Sequence, residues 1–384
     1  MTKGHTMTRR SFLSTAAATL AATQLPAADS TESLVYLGST DNKDNGPGIH
    51  AALWNSHTGT LSNLRLVSPA ISAGFLASSN IGGTRLLFAG HQAAPKVGAL
   101  SSFRIAPSGD LTLINTVTTP DFDMVHLALD HTQRCIVAAS YGSGKILSVT
   151  IAPDGHLSAP VSQFQLSGSG PIASRQKSPH AHGVCISPDN RFALINDLGT
   201  DRIMVYKLDA STATLTPNDP PYFKATPGAG PRHLAFHPNG KWAYSVNELD
   251  STLTLLHWNA SAGTLTQVAS TPTLPVGGDV ANNRAGEVVI DKTGRILYSC
   301  NRGAVEDLIV YTIGSDGHLT LVERQPLNGK EARHFAISPD GGFFLVAEQF
   351  SNQVAVFTRN RQTGVIASTP NHYEVTNASC VLFV

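Results

Sequence analysis

The chain repeats itself. Segments such as HLALDHTQRCIVAASYGSGKILSVTIAPDGHLS, GVCISPDNRFALINDLGTDRIMVYKLDASTATLT and HLAFHPNGKWAYSVNELDSTLTLLHWNASAGTLT share one grammar. Each copy has a short apolar run, a PDG-like turn, a second apolar run and a polar loop. An alternating strand such as IMVYKL follows, then a turn carrying Asp-Gly or Thr-Gly before a fourth strand. Glycine supplies the positive φ of such turns and proline presets the position before it. Copies start at Phe75 (a weaker one), His126, Gly183, His233, Glu287 and His334, spaced 51, 57, 50, 54 and 47 residues. A four-stranded unit recurring every ~40–50 residues predicts the blades of a β-propeller. The longer intervals before Gly183 and Glu287 read as loop insertions.

Six copies leave both ends over. Near the N-terminus LVYLGST, IHAALWN and LSNLRLV supply three strands without a fourth, and CVLFV at the C-terminus is a strand without a blade. Joined in one shared blade, the two ends give seven blades and close the ring, which removes the exposed sheet edge. The expected fold is therefore all-β, a seven-bladed propeller formed by residues 31–384 as a single domain.

Composition agrees with short strands and tight turns: charged residues are only 14%, beside 33 Gly and 22 Pro. With 27 basic and 27 acidic side chains the formal net charge is zero. That balance excludes nucleic acid or an anionic membrane surface as main partner, because both select a basic face. Small molecules and other proteins remain, and a closed ring permits a monomer.

The N-terminus reads as an address. Arg9-Arg10-Ser11-Phe12-Leu13 leads into an Ala- and Thr-rich apolar stretch too short to span a bilayer. We read residues 1–30 as a twin-arginine export signal with its linker, which directs a folded protein to the periplasm. No membrane span is expected. Cys135, Cys185, Cys300 and Cys380 form no CxxC motif, and three of them sit in apolar runs, as buried thiols do.

In a propeller the innermost strands and the loops leading into them line a central funnel. Several residues there are not turn formers. Ser178-Pro179-His180-Ala181-His182 precedes one inner strand, Pro231-Arg232-His233 another, Ala332-Arg333-His334 a third, and Gly286-Glu287 a fourth. Asn247-Glu248 and Asn301-Arg302 follow second strands. Arginine holds carboxylates and phosphates bidentately, and His or Glu can move a proton near neutral pH. Arg232 and Arg302 would be costly to bury unpaired, so they need Glu248, Glu287 or an anionic ligand. His233 and His334 could instead be structural ties between strand and loop. His156 and His318, in Asp-Gly-His turns, should face solvent. His180 and His182 lack further ligands at diagnostic spacing, so no metal and no cofactor is expected.

Across nearly the whole mature chain these signposts resemble the bacterial seven-bladed lactonase family. That family contains 6-phosphogluconolactonase and is related to the fungal carboxy-muconate lactonizing enzymes. The resemblance rests on SPHAHGVCISPDNRFALINDLGTDRI, GPRHLAFHPNGKWAYSVNEL, GRILYSCNRG, ARHFAISPDG and the closing CVLFV. It places a functional histidine at His180 or His182, arginines at Arg232 and Arg302, and a glutamate at Glu248. Neighbouring residues depart from the family pattern, with Ala181 and Gly183 where it writes SPHPHS and Ala304-Val305-Glu306 where it writes NRGHDS.

The resulting expectation is a lactone hydrolase acting on a sugar or organic-acid lactone, or another anionic sugar. Arg232 and Arg302 would hold the substrate anion and the developing oxyanion, and His180 or Glu248 would activate water. His182, His233, Glu287, Arg333 and Asn247 would bind substrate or support the site. A lactonizing cycloisomerase would use the same residues. A non-catalytic exported propeller binding a protein or glycan is the other alternative, against which the modest aromatic content of 7% weighs. Export would also remove the protein from cytoplasmic phosphosugars, which favours an unphosphorylated lactone.

Overall fold

The fold was analysed in a computed structural model that describes residues 1–2, 32–40, 48–69, 72–94, 97–120 and 124–384. The export signal at Arg9-Arg10 lies outside the described residues. Residues Glu32–Val384 form one compact unit.

Among the described residues, twenty-eight strands make seven antiparallel sheets of four strands each. The ring closes through blade 1, where Ala378–Phe383 pairs with Glu32–Ser39 in a register that sets Leu37 against Val381. Blades 2 to 7 follow in chain order, starting with inner strands Phe75–Ile81, Met124–Leu129, Ala181–Ile186, Pro231–Phe236, Asn283–Ile290 and Ala332–Ile337. Each inner strand touches the next, and Ala378–Phe383 touches both Ala332–Ile337 and Phe75–Ile81.

The core follows from this arrangement. Second strands such as CIVAAS (Cys135–Ser140) and FALIND (Phe192–Asp197) are buried at every position, because a blade covers each face. Outermost strands such as Thr264–Pro272 expose most of their residues. Apolar side chains gather in seven clusters, each between two neighbouring blades, and the seventh joins blade 7 to blade 1. No helix among the described residues is long and apolar enough to cross a membrane.

One irregularity recurs where the inner strands begin. Register shifts fall between Met124 and His126, Ala181 and Gly183, Pro231 and His233, Ala285 and Val288, and Ala332 and His334. Blade 1 has its own shift opposite Ser379. A β-bulge inserts an unpaired residue and re-aims its side chain. The residues inserted are Val125, His182, Arg232, Gly286 with Glu287, Arg333 and Ser379. Nearly all of the polar residues that sequence reading singled out at strand entrances are therefore bulge residues or their immediate neighbours.

Candidate active site

A cavity of about 260 Å³ opens where the inner strands begin, lined by His182, Arg232, His233, Glu287, Arg333 and His334, with Phe75 and Met124 among its other walls. Successive residues of a regular strand face opposite sides. Here Arg232 and His233 both reach the cavity, as do Arg333 and His334, because of the bulges.

His233 Nδ1 lies 2.8 and 2.9 Å from the two carboxylate oxygens of Glu287. Burial opposes a charge on Glu287, yet His233, His334 and Arg232 together hold its carboxyl below the ordinary range. Burial also drives His233 down, to about 4, against the pull of Glu287. At neutral pH the pair is therefore a carboxylate accepting a hydrogen bond from the Nδ1–H of a neutral imidazole, which leaves Nε2 as the basic nitrogen. His126 Nδ1 accepts from the Val184 N–H and His334 Nδ1 from the Val381 N–H, both at 3.2 Å. Burial keeps His126 and His182 well below the usual histidine value and lowers His334 as well. The rings pack together: centroids are 4.7 Å apart for His126 and His233, 5.0 Å for His182 and His233, and 3.9 Å for Phe75 and His126.

Gly183 makes this closeness feasible. A Cβ there would lie 2.5 Å from the Arg232 carbonyl oxygen and 3.0 Å from His233 Cα.

Beside the histidines, three guanidiniums converge on Glu248. Arg175 Nη2 is 2.5 Å from one oxygen, and Arg302 Nη2 and Arg232 Nε are 3.0 and 3.3 Å from the other. Arg232 also donates to the Gly286 carbonyl at 2.7 Å. Arg302 reaches Glu331 at 2.8 Å, and Arg284 meets the same carboxylate at 2.8 Å. Burial lowers Arg232 to about 10, with Arg302 and Arg333 adding repulsion. Burial works against the charge on Glu248, but Arg302, Arg232 and Arg175 outweigh it and hold the carboxyl far below its usual range. A carboxylate so held is a weak proton acceptor; its place is to anchor guanidiniums.

The structure thus brings His182, Arg232, His233, Glu287 and Arg333 onto one cavity, with Glu248 lining the adjoining one. Other expected site residues lie elsewhere. His180 stacks on Tyr141 with centroids 4.4 Å apart, its Nδ1 2.9 Å from the Tyr141 carbonyl. Arg302 is buried between Glu248 and Glu331. Asn247 donates to Thr252 and Thr254 and braces its own blade. His156 and His318 are exposed, each beside a turn aspartate. All four cysteines are unpaired, and Cys185 is half-buried. Among the described residues no group of three or more His, Cys, Asp or Glu is placed to hold a metal ion.

Sequence reasoning missed Arg175, Tyr141 and His126. His126 heads a repeat copy, at the position His233 and His334 occupy in theirs, so the repeat itself could have found it. Arg175 sits in an insertion with no counterpart in the other copies, and nothing in the repeat points to it.

The chain matches the family description "Lactonase, 7-bladed beta-propeller" over residues 34–383. The 6-phosphogluconolactonase of Bacillus subtilis is 29% identical over 357 residues, covering 92% of this chain and 99% of that protein. The 6-phosphogluconolactonase of Formosa agariphila is 31% identical over 354 residues, covering 90% and 98%. The crystal structure of the periplasmic gluconolactonase of Pseudomonas aeruginosa superimposes with a TM-score of 0.84 at 29% identity, over 92% of this chain and 99% of that one. A closed ring of seven blades, its cationic axial site and these full-length matches agree: the chain belongs to the seven-bladed β-propeller lactonase family of enzymes.

Proposed function

We propose that this protein hydrolyses an unphosphorylated sugar or organic-acid lactone in the periplasm. The observation that carries the chemistry is the His233–Glu287 pair facing the same cavity as Arg232. A general base needs an available lone pair and a group that orients it. In His233 Glu287 fixes Nδ1–H, and the basic Nε2 faces the Arg232 guanidinium, whose Nη1 is 3.4 Å away, so attacking water meets the lone pair beside the group that stabilises the oxyanion. Glu248 and His180, which sequence favours as bases, meet the requirement less well: one is held ionised by three guanidiniums and the other bonds a backbone carbonyl.

With the lactone carbonyl in the axial cavity, His233 Nε2 takes a proton from water as the oxygen attacks the carbonyl carbon. The guanidinium of Arg232, anchored by Glu248 and the Gly286 carbonyl, stabilises the oxyanion, and Arg333 adds positive charge. Collapse of the tetrahedral species breaks the ring carbon–oxygen bond, and His233 returns the proton to the departing ring oxygen. Arg302 and Glu331 hold Arg232 and Glu248 in place from behind. The carboxylate of the hydroxy-acid product then leaves.

The relatives named as lactonases support the reaction class, and the Pseudomonas protein supports the setting. Export fits the Arg9-Arg10 leader and favours an unphosphorylated substrate. The test is acid release by the purified protein from a panel of aliphatic and sugar lactones, followed with a pH indicator. Release should exceed the spontaneous rate for at least one lactone and drop at least a hundredfold in His233→Asn and Arg232→Met. A wild-type protein that opens none of them defeats the reading, and full activity in His233→Asn defeats the assignment of the base.

A further inference from the structure

The axial cavity has a side chamber. About 180 Å³ in volume, it is lined by Val125, Tyr141, Arg175, His182, Glu248 and Arg333, and it shares Val125, His182 and Arg333 with the axial cavity. A molecule with its carbonyl at the axis therefore has one adjoining polar space for a substituent. Arg175 supplies the wall that the repeat does not encode. It stands on the insertion of residues 166–180 between Ser162–Gln165 and Ala181–Ile186.

That insertion is a fixed strap. The buried Gln176 side chain donates to the Leu198 carbonyl at 2.8 Å and to Asp201 at 2.7 Å, and accepts from the Ile172 N–H at 3.1 Å. Asp201 in turn accepts from the Gly228 and Gly230 N–H groups at 2.7 and 2.8 Å. Further along, the strap lies so close to Gly199 that a Cβ there would be 2.0 Å from the Ser178 carbonyl oxygen. The backbone that carries Arg175 is thus held on both sides. Its side chain is nevertheless 34% exposed, while that of Arg232 is 2% exposed. Both contacts of Arg175, to Glu248 at 2.5 Å and to the Tyr141 hydroxyl at 3.3 Å, use Nη2 alone. A guanidinium has five N–H donors, so most of its capacity is not used by these two contacts.

Charge narrows the ligand. Among the described residues, the two chambers are lined by three guanidiniums (Arg175, Arg232 and Arg333) and two carboxylates (Glu248 and Glu287). The lining histidines His91, His182, His233 and His334 are pushed toward the neutral form by burial. One positive charge is left over, which matches one carboxylate and falls short of a phosphate dianion.

We propose that Arg175 is a specificity-determining residue that binds a carboxylate on the substituent of the lactone ring, so that the preferred substrate is the lactone of a sugar diacid or a related dicarboxylic acid. This rests on the lactonase reading above and adds the identity of the substituent. The reacting carbonyl sits on the axis and the substituent carboxylate enters the side chamber, where it meets the Arg175 donors that its two contacts do not use.

The test compares kcat/KM of the full-length mature protein on three lactones: glucarolactone with a carboxylate tail, gluconolactone with a neutral hydroxylated tail, and 6-phosphogluconolactone. Wild type should prefer glucarolactone to gluconolactone by at least tenfold. Arg175→Gln should reduce that ratio at least tenfold through KM for the acid, and Arg175→Lys should keep part of it. Because Arg175 also touches Glu248, a loss common to all three lactones is expected, and the ratio is the readout. In wild type, glutarate should compete with gluconolactone while glutaramide should not, which tests the chamber without any substitution. A ratio unchanged in Arg175→Gln, or equal inhibition by glutarate and glutaramide, overturns the proposal. A preference for the phosphorylated lactone overturns the choice of carboxylate. Gluconolactone opening without acid preference sinks this inference alone, whereas failure on every lactone sinks the lactonase reading with it.

Discussion

At the scale of single residues the site depends on which groups are charged. Four histidines, His126, His182, His233 and His334, are kept neutral mainly by burial. For His233 this has a kinetic consequence. Its free-base form is the active one, and its value of about 4 means that this form persists well below the ordinary histidine range. The acid limb of kcat/KM should therefore fall near pH 4, with little change between pH 5 and 7. Glu287 is the group that pulls His233 upward, so Glu287→Gln should move the limb to still lower pH. It should also cost about a hundredfold in kcat, because the tautomer and the imidazolium lose their carboxylate partner. A pH–rate profile of both proteins checks this. An acid limb at pH 6.5 in wild type would point to a less buried base.

At the scale of elements, the bulge at the head of every inner strand but that of blade 2 is what converts a repeat into a site. The strands themselves were legible: apolar runs, PDG-like turns and the spacing of copies give seven blades and the closing strand. The bulges were not, because nothing in the local pattern of Pro231-Arg232-His233 says that strand alternation fails there. Alternation would send Arg232 and His233 to opposite faces, and the structure sends both to the axis. The same irregularity bears on His180 and His182. A His-x-His pair read at a period of two should share a side, but His180 precedes the strand and stacks on Tyr141, while the bulge residue His182 meets the edge of that ring and lines the cavity. Arg175 was illegible for another reason, since an insertion has no second copy to compare with. The bulge in blade 4 also needs Gly183. In Gly183→Ala the new methyl meets backbone on blade 5, at the Arg232 carbonyl and His233 Cα, so the two blades have to part. We expect a loss of about 1–3 kcal/mol of stability and a fall in kcat larger than any change in KM. Thermal melts and steady-state kinetics on one preparation check both. An unchanged melting temperature would mean that blades 4 and 5 yield without strain.

For the whole molecule, stability belongs to seven interfaces arranged in a circle, and two predictions follow from their chemistry and their connectivity. The first concerns acid. A histidine that is neutral and buried in the fold but free to protonate when unfolded favours the unfolded chain as pH drops below 6.5, because unfolding then takes up protons. For His233 that loss accumulates from pH 6.5 down to about 4. Glu248 and Glu287, held below the ordinary carboxylate value of 4.5, add a second loss as pH falls past that value. The melting temperature should therefore hold above pH 6.5, decline below it, and decline faster below about 4.5; a flat curve from pH 7 to 5 contradicts the neutral histidine cluster. The second concerns closure. Ala378–Phe383 supplies buried Ala378, Cys380 and Val381 to the clusters on both sides of blade 1, and Ser379 to the axial cavity. Removing residues 378–384 deletes little area in itself, but it uncovers the edge of Glu32–Ser39 and leaves blades 7 and 2 without the strand both of them touch. An open ring would not merely be weaker by one strand, because its two end blades would each expose an apolar face. The truncated protein should melt in a broad, low-temperature transition, bind a hydrophobic dye and lose activity. A synthetic peptide of residues 376–384 added in excess should restore the sharp transition if closure is what was lost. A truncated protein that melts as sharply and as high as the full chain would show that the ring does not depend on its closing strand.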